Sequence, residues 1–263
     1  DSPTPGQCRA IEKMVEGCRS ELQMRPTLPL GQPISLGTVG YLNDHAFHYL
    51  GTTEIMLGRE PGNPIQGTGL PDVQISSGKD VSLSVLANGE TSSTFGKIAN
   101  LNGSIELSFN ASDSFVVAAK DISITAMQNP ILLFPAMIDR YTAGAWKEEY
   151  CFIYQIGTPT SFTAVISRQS GSRLLLDANT EVGEGAASLG DLAVGASFQR
   201  QSGAVDKIVC RNQVPAFFNA YRVKKPFLRK PKVVEAAAMI KDYASAEEIA
   251  AALGFDESPF ESV

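Results

Sequence analysis

Two histidines, four cysteines and two Glu-Glu pairs head the reactive inventory of this 263-residue chain. His45 and His48 stand three apart in a glycine-rich stretch with no third ligand nearby, so a surface or loop role is favoured over metal binding and no metal is expected. Cys8, Cys18, Cys151 and Cys210 form no CxxC pair and no zinc-type Cys/His spacing. Cys151 lies in the apolar run 150–154 and Cys210 follows Ile208 and Val209, as small buried hydrophobes of a reduced, cytoplasmic protein do. Cys8 differs, because it sits near an N-terminus rich in Pro and Gly. Glu148–Glu149 and Glu247–Glu248 read as solvated surface charges rather than an acid/base pair. Neither a GxSxG, a GxGxxG nor a phosphate-loop lysine signature is present. No catalytic residue and no cofactor is therefore expected, and a hydrolase with a dispersed site is the weakest reading.

Charge is more informative than reactivity. With 22 Lys and Arg against 28 Asp and Glu, a net charge of −6, the chain is no nucleic-acid binder driven by overall positive charge. Locally, Arg222, Lys224, Lys225, Arg229, Lys230 and Lys232 follow one another with no acid between them. Near an anionic lipid surface each such side chain contributes about 1 kcal/mol, so the run is a candidate site for lipid head groups. From 234 onward the sign reverses to a net −6, and pairing with that acidic segment is the fold-internal alternative for the run.

The elements that must carry these residues are mostly strands. Residues 9–24 place Ile11, Met14, Val15, Cys18 and Leu22 at helical spacing, which predicts a short amphipathic helix with Cys8 just ahead of it and Pro26 beyond. Prolines and eight glycines break residues 27–72 into loops and short edge strands. Alternation at 81–86, 105–109, 115–119 and 122–124 predicts a β-meander over 79–126, with Asn88-Gly89 and Asn102-Gly103 as reversals. A short helix is predicted at 130–141, provided that Pro135 falls in its first turn. Strands follow at 150–156, 162–166, 174–176, 192–198 and 207–210, and 217–223 is predicted as the last strand. In the tail, Ser245 and Glu248 form a capping box, Ile249 and Leu253 an apolar stripe, and Gly254 a helix end. The longest apolar runs, 115–119 and 131–134, are far short of the ~20 residues of a membrane-spanning helix. Amphipathic strands from many copies can still cross a bilayer by closing into a barrel. The chain opens at Asp1 with neither Met nor a leader pattern, which reads as a processed or trimmed start.

In order, these features are a β-rich meander ending in 104–109 and 121–124, a helix at 130–143, the strand 149–156 with its partner at 162–167, and Pro215 before the Phe-Phe-Asn-Ala-Tyr-Arg-Val segment 217–223. That layout resembles the gasdermin family, and most its short bacterial members. The resemblance implies an α+β fold: a twisted, mostly antiparallel sheet with short helices, comprising a gasdermin-like N-domain over 1–233 and a short helical C-terminal tail over 234–263. It implies an autoinhibited pore-forming protein, not an enzyme, that acts in bacterial cell death during phage attack. The tail, through Ile240, Tyr243, Ile249, Leu253 and Phe255, would hold the domain closed in the cytoplasm until a protease cuts it. Freed subunits would then form a homo-oligomer in the lipids of the inner membrane, with no nucleic-acid partner. Cys8 would match the acylated cysteine of bacterial members. A non-enzymatic β-rich binding or assembly module, whose C-terminal helix docks a partner, is the alternative reading.

Overall fold

The computed structural model describes residues 5–28, 32–43, 45–85, 90–92, 103–167, 169–178, 197–202, 205–210, 213–225 and 231–235. In chain order the helices are α1 (Pro5–Leu22), α2 (Thr53–Leu57) and α3 (Phe134–Thr142). The strands are β1 (Arg25–Pro26), β2 (Thr38–Asn43), β3 (Ala46–Thr52), β4 (Pro64–Gln66), β5 (Val73–Ser76), β6 (Val81–Val85), β7 (Glu90–Ser92), β8 (Gly103–Phe109) and β9 (Ser114–Lys120). They continue as β10 (Ser123–Met127), β11 (Tyr150–Thr158), β12 (Ser161–Ser167), β13 (Ser172–Ala178), β14 (Ser197–Ser202), β15 (Val205–Cys210), β16 (Phe217–Lys224) and β17 (Lys232–Glu235).

All described pairings between these strands are antiparallel, and they fall into three sheets. In the first, β16 runs along one edge of β11, while β2 and β10 share the other edge, at Tyr150–Phe152 and at 155–158. Beyond them β3 pairs with β2 and β4 with β10; on the far side β1 and β17 both pair with β16. The second sheet has the order β15-β12-β9-β5 and the third β14-β13-β8-β6-β7. The architecture is therefore α+β, with twisted antiparallel sheets and short helices.

Three apolar clusters hold these layers. On α1, Met14, Cys18 and Leu22 recur every fourth residue and so share one face, which packs on Ile75, Phe115, Val117 and Phe162 of the second sheet and on Phe217 of the first. Phe162 and Phe217 meet edge to face at 5.5 Å, joining the two sheets under the helix. On one face of the first sheet, Leu57 of α2 and Phe134 and Met137 of α3 cover Val39, Phe152 and Val223 together with Trp146. Phe47, Cys151, Ile153, Phe218 and Ala220 cluster on the opposite face.

Several expectations need correction. α1 begins at Pro5, where a missing N–H costs nothing, so Cys8 lies inside its first turns and not ahead of it. The helix stops at Leu22 rather than reaching 24, because Gln23 turns to φ +55° and the chain crosses to pair Arg25 with Phe218. The expected meander over 79–126 is spread over all three sheets: β7 and β8 both pair with β6 in the third, while β9 joins the second and β10 the first. Residues 27–72 contain a full hairpin, β2–β3, and also α2, capped by the Thr52 hydroxyl and closed by Gly58 at φ +67°; five residues are too few to show a helical period. The strand at 217–223 is not the last one. Val234 and Glu235, assigned by sequence to the tail, belong to β17, which crosses the 233/234 boundary, and Val234 is buried. Pro135 does fall in the first turn of α3, behind a 3₁₀ turn over Pro130–Leu133. From residue 236 on, the helical tail expected over 234–263 lies outside the described residues.

Candidate functional site

The second and third sheets are built from the same excursions of the chain. β5 leads into β6, β8 into β9, β12 into β13 and β14 into β15, so four strands pass from one sheet to the other side by side. Three of the breaks are described, and each contains a residue in the left-handed region: Gly78 (φ +68°), Asp113 (φ +62°) and Gly171 (φ +77°). Short polar side chains fasten the breaks to one another. The Ser77 hydroxyl accepts from Phe115 N at 3.1 Å, and the Ser170 hydroxyl donates to Asn110 O at 2.8 Å. Ser167 and Ser172 both donate to Gln169 O at 2.7 Å. Backbone bonds complete the row, from Asn110 N to Asp80 O and from Gly171 N to Phe109 O, both 2.8 Å.

Beyond this row the register sorts side chains by polarity. Leu83, Leu107 and Leu174 stand directly opposite one another across β6, β8 and β13, and Val81 faces Phe109; four of the five (Val81, Leu107, Phe109 and Leu174) are described as buried. One residue on, Ser82, Ser108 and Arg173 form the alternate row, as do Ser84, Glu106 and Leu175. Arg173 pairs with Glu106 at 3.4 Å, and Glu106 accepts from the Ser108 hydroxyl at 3.1 Å. The result is an antiparallel ribbon with one apolar and one largely polar face. On the second-sheet side of the breaks, β9 and β12 are buried along nearly their whole length between their neighbours.

The basic run lies at the other end of the molecule's connectivity, on β16 and β17. Arg222 is half-buried opposite Cys151, and burial lowers its pKa, which Cys151 and Glu148 partly oppose. Its buried Nε has no hydrogen-bond partner among the described residues. Lys224 and Lys232 are directly opposed across the two strands, and Lys225 is exposed just beyond. Arg229 and Lys230 lie outside the described residues, as do Ile240, Tyr243, Ile249, Leu253 and Phe255. Cys8 is placed on α1 by its backbone alone.

Sequence reasoning missed two sites. Arg25 is 3% exposed, its pKa lowered to about 10 by burial and by Arg19, with Cys151 opposing. On the α3 side of the first sheet, the Tyr154 hydroxyl donates to Glu235 Oε1 at 2.5 Å, and the Tyr154 ring stacks on Tyr221 at 4.3 Å. Burial raises the pKa of Tyr154, of Tyr221 and of Glu235. The paired valines Val233 and Val234, flanked by charges, were the available signal for this strand. His48 is exposed and stacks on Tyr41 at 4.9 Å, while His45 occupies the hairpin turn at φ +68°. Among the described residues no three His, Cys, Asp or Glu side chains converge to hold a metal ion, and no helix is long and apolar enough to cross a membrane.

The fold is thus that of an antiparallel α+β protein carrying a broken, amphipathic four-strand ribbon. Among solved structures the chain is similar to a bacterial gasdermin from Bradyrhizobium tropiciagri, at 10% identity and a TM-score of 0.37 over 84% of this chain and 89% of that one. It is also similar to the Gasdermin A3 membrane pore, at 8% identity and a TM-score of 0.34 over 89% of this chain and 96% of that one. No family model and no curated protein matches the sequence.

Proposed function

We propose that this chain is an autoinhibited pore-forming protein, whose ribbon strands enter a membrane after the segment following β17 is removed. The observation that carries this reading is the row of breaks shared by adjacent strands. β8 and β9 have seven residues each, as do β12 and β13, and a membrane-crossing strand needs about 9 to 11. Straightening at Asp113 and Gly171 would fuse each pair into one strand longer than that requirement. The apolar row around Leu107 would face lipid, and the row around Glu106 and Arg173 would face water, as in a barrel wall. Copies joined edge to edge would satisfy the backbone groups that a single ribbon leaves open. Lys224, Lys225 and the rest of the basic run would bring the molecule to anionic lipids beforehand. Inner-membrane action in bacterial cell death, and acylation of Cys8, go with this reading through the family layout seen in the sequence.

The test compares the full chain with residues 1–235, a cut placed after β17 rather than within it. The shortened chain is expected to bind phosphatidylglycerol vesicles and release a trapped dye, while the full chain does neither. A soluble 1–235 chain that leaves vesicles intact overturns the reading in favour of a binding or assembly module.

A further inference from the structure

β17 is the last described element, and it is held unevenly. At its start, Lys232 stands directly opposite Lys224. Pro231, immediately before it, has no N–H to give to the ladder. At its end, Glu235 lies opposite Tyr221 and accepts the 2.5 Å bond from Tyr154, a residue of β11, two strands away. The Tyr154–Tyr221 stack at 4.3 Å sets the hydroxyl over the intervening strand. Hydrogen bonds to a carboxylate are stronger than neutral ones, and this one ties β11, β16 and β17 together at the residue after which the C-terminal segment begins.

We propose that Glu235 is a clasp: its bond to Tyr154 keeps β17 on the sheet, and losing it frees β17 from β16. Glu235 is a positioning residue, acting through the strand it ends. The consequence for membrane attack rests on the pore-forming reading above; the clasp itself does not.

Hydrogen exchange of the full chain and its variants E235A, E235Q and Y154F tests this. In E235A, exchange over 221–224 and 232–235 is expected to quicken by about tenfold or more, which corresponds to about 1.4 kcal/mol. Y154F is expected to show a smaller rise in the same stretches. E235Q, which keeps an acceptor for the Tyr154 hydroxyl but not its charge, should show a rise clearly smaller than that of E235A, and Ser161–Ser167 should be unchanged in all three. Parent-like exchange in E235A, or an equal rise in E235Q, overturns the clasp. Should E235A unfold throughout, Y154F decides, since it removes a single hydroxyl, and unchanged exchange there overturns the clasp. Dye release from phosphatidylglycerol vesicles separates the two ideas. Leakage by uncut E235A supports both. Faster exchange with no leakage from either E235A or the 1–235 chain keeps the clasp and removes the pore reading.

Discussion

Cys18 and Cys151 illustrate how position governs reactivity. Both are fully buried, and burial pushes each thiol up to about 12, because a thiolate would lose its hydration. For Cys151 the neighbouring Arg25 and Arg222 pull the other way without reversing the effect. At pH 8 iodoacetamide is therefore expected to leave both unlabelled in the native chain and to label both in urea, read by peptide mass spectrometry. Labelling of either in the native chain would contradict the burial described. The inert character of Cys18 and Cys151 was legible in sequence, from helical spacing in one case and an apolar run in the other. The partnership of Tyr154 with Glu235 was not, because 81 residues separate them and neither position is unusual locally.

Among the elements, the breaks in the ribbon carry the most consequence. Gly171 sits at φ +77°, and a Cβ there would meet no atom within 4 Å, so Gly171→Ala should cost only the conformational penalty of the left-handed region. That penalty is about 1 kcal/mol, or about 2 to 4 °C in melting temperature for a chain of this size. Since the penalty exists only while the strand is broken, the same change should hasten dye release by the 1–235 chain. Slower release with the same loss of stability would argue against straightening. Leu107 is 1% exposed at the centre of the apolar row, and Leu107→Ala should cost about 2 to 5 kcal/mol by thermal denaturation. Strands β6, β8 to β12 and β16 were readable from alternation, whereas β7 was not expected, and of the strand expected at 192–198 only 197–198, at the start of β14, lie among the described residues. The distribution of the strands among three sheets was not readable, since alternation reports which side of a strand is apolar and not which strand lies beside it.

At the scale of the whole molecule, the net charge of −6 conceals a strongly basic run. Replacing Lys224, Lys225, Arg229 and Lys230 with Glu removes at least four favourable contacts of about 1 kcal/mol each, so vesicle affinity should fall by roughly a thousandfold. Melting should barely change, because the exposed Lys225 and the partly exposed Lys224 carry no packing role in the apolar clusters. Unchanged vesicle sedimentation would remove the basic run from the membrane-binding account.

The sequence by itself determined the material of this protein: amphipathic strands, an N-terminal helix with one apolar stripe, a short helix primed by Pro135, and a segregated run of positive charge. These follow from periodicity and local sterics, which act over a few residues. Tertiary structure alone decided that three neighbouring strands break at one level, that Lys224 opposes Lys232, and that β17 crosses the boundary drawn at the change of charge. It also decided that Glu235 meets Tyr154. Each of these depends on strand register and sheet order, which arise when distant segments compete to satisfy backbone hydrogen bonds and bury a shared apolar face.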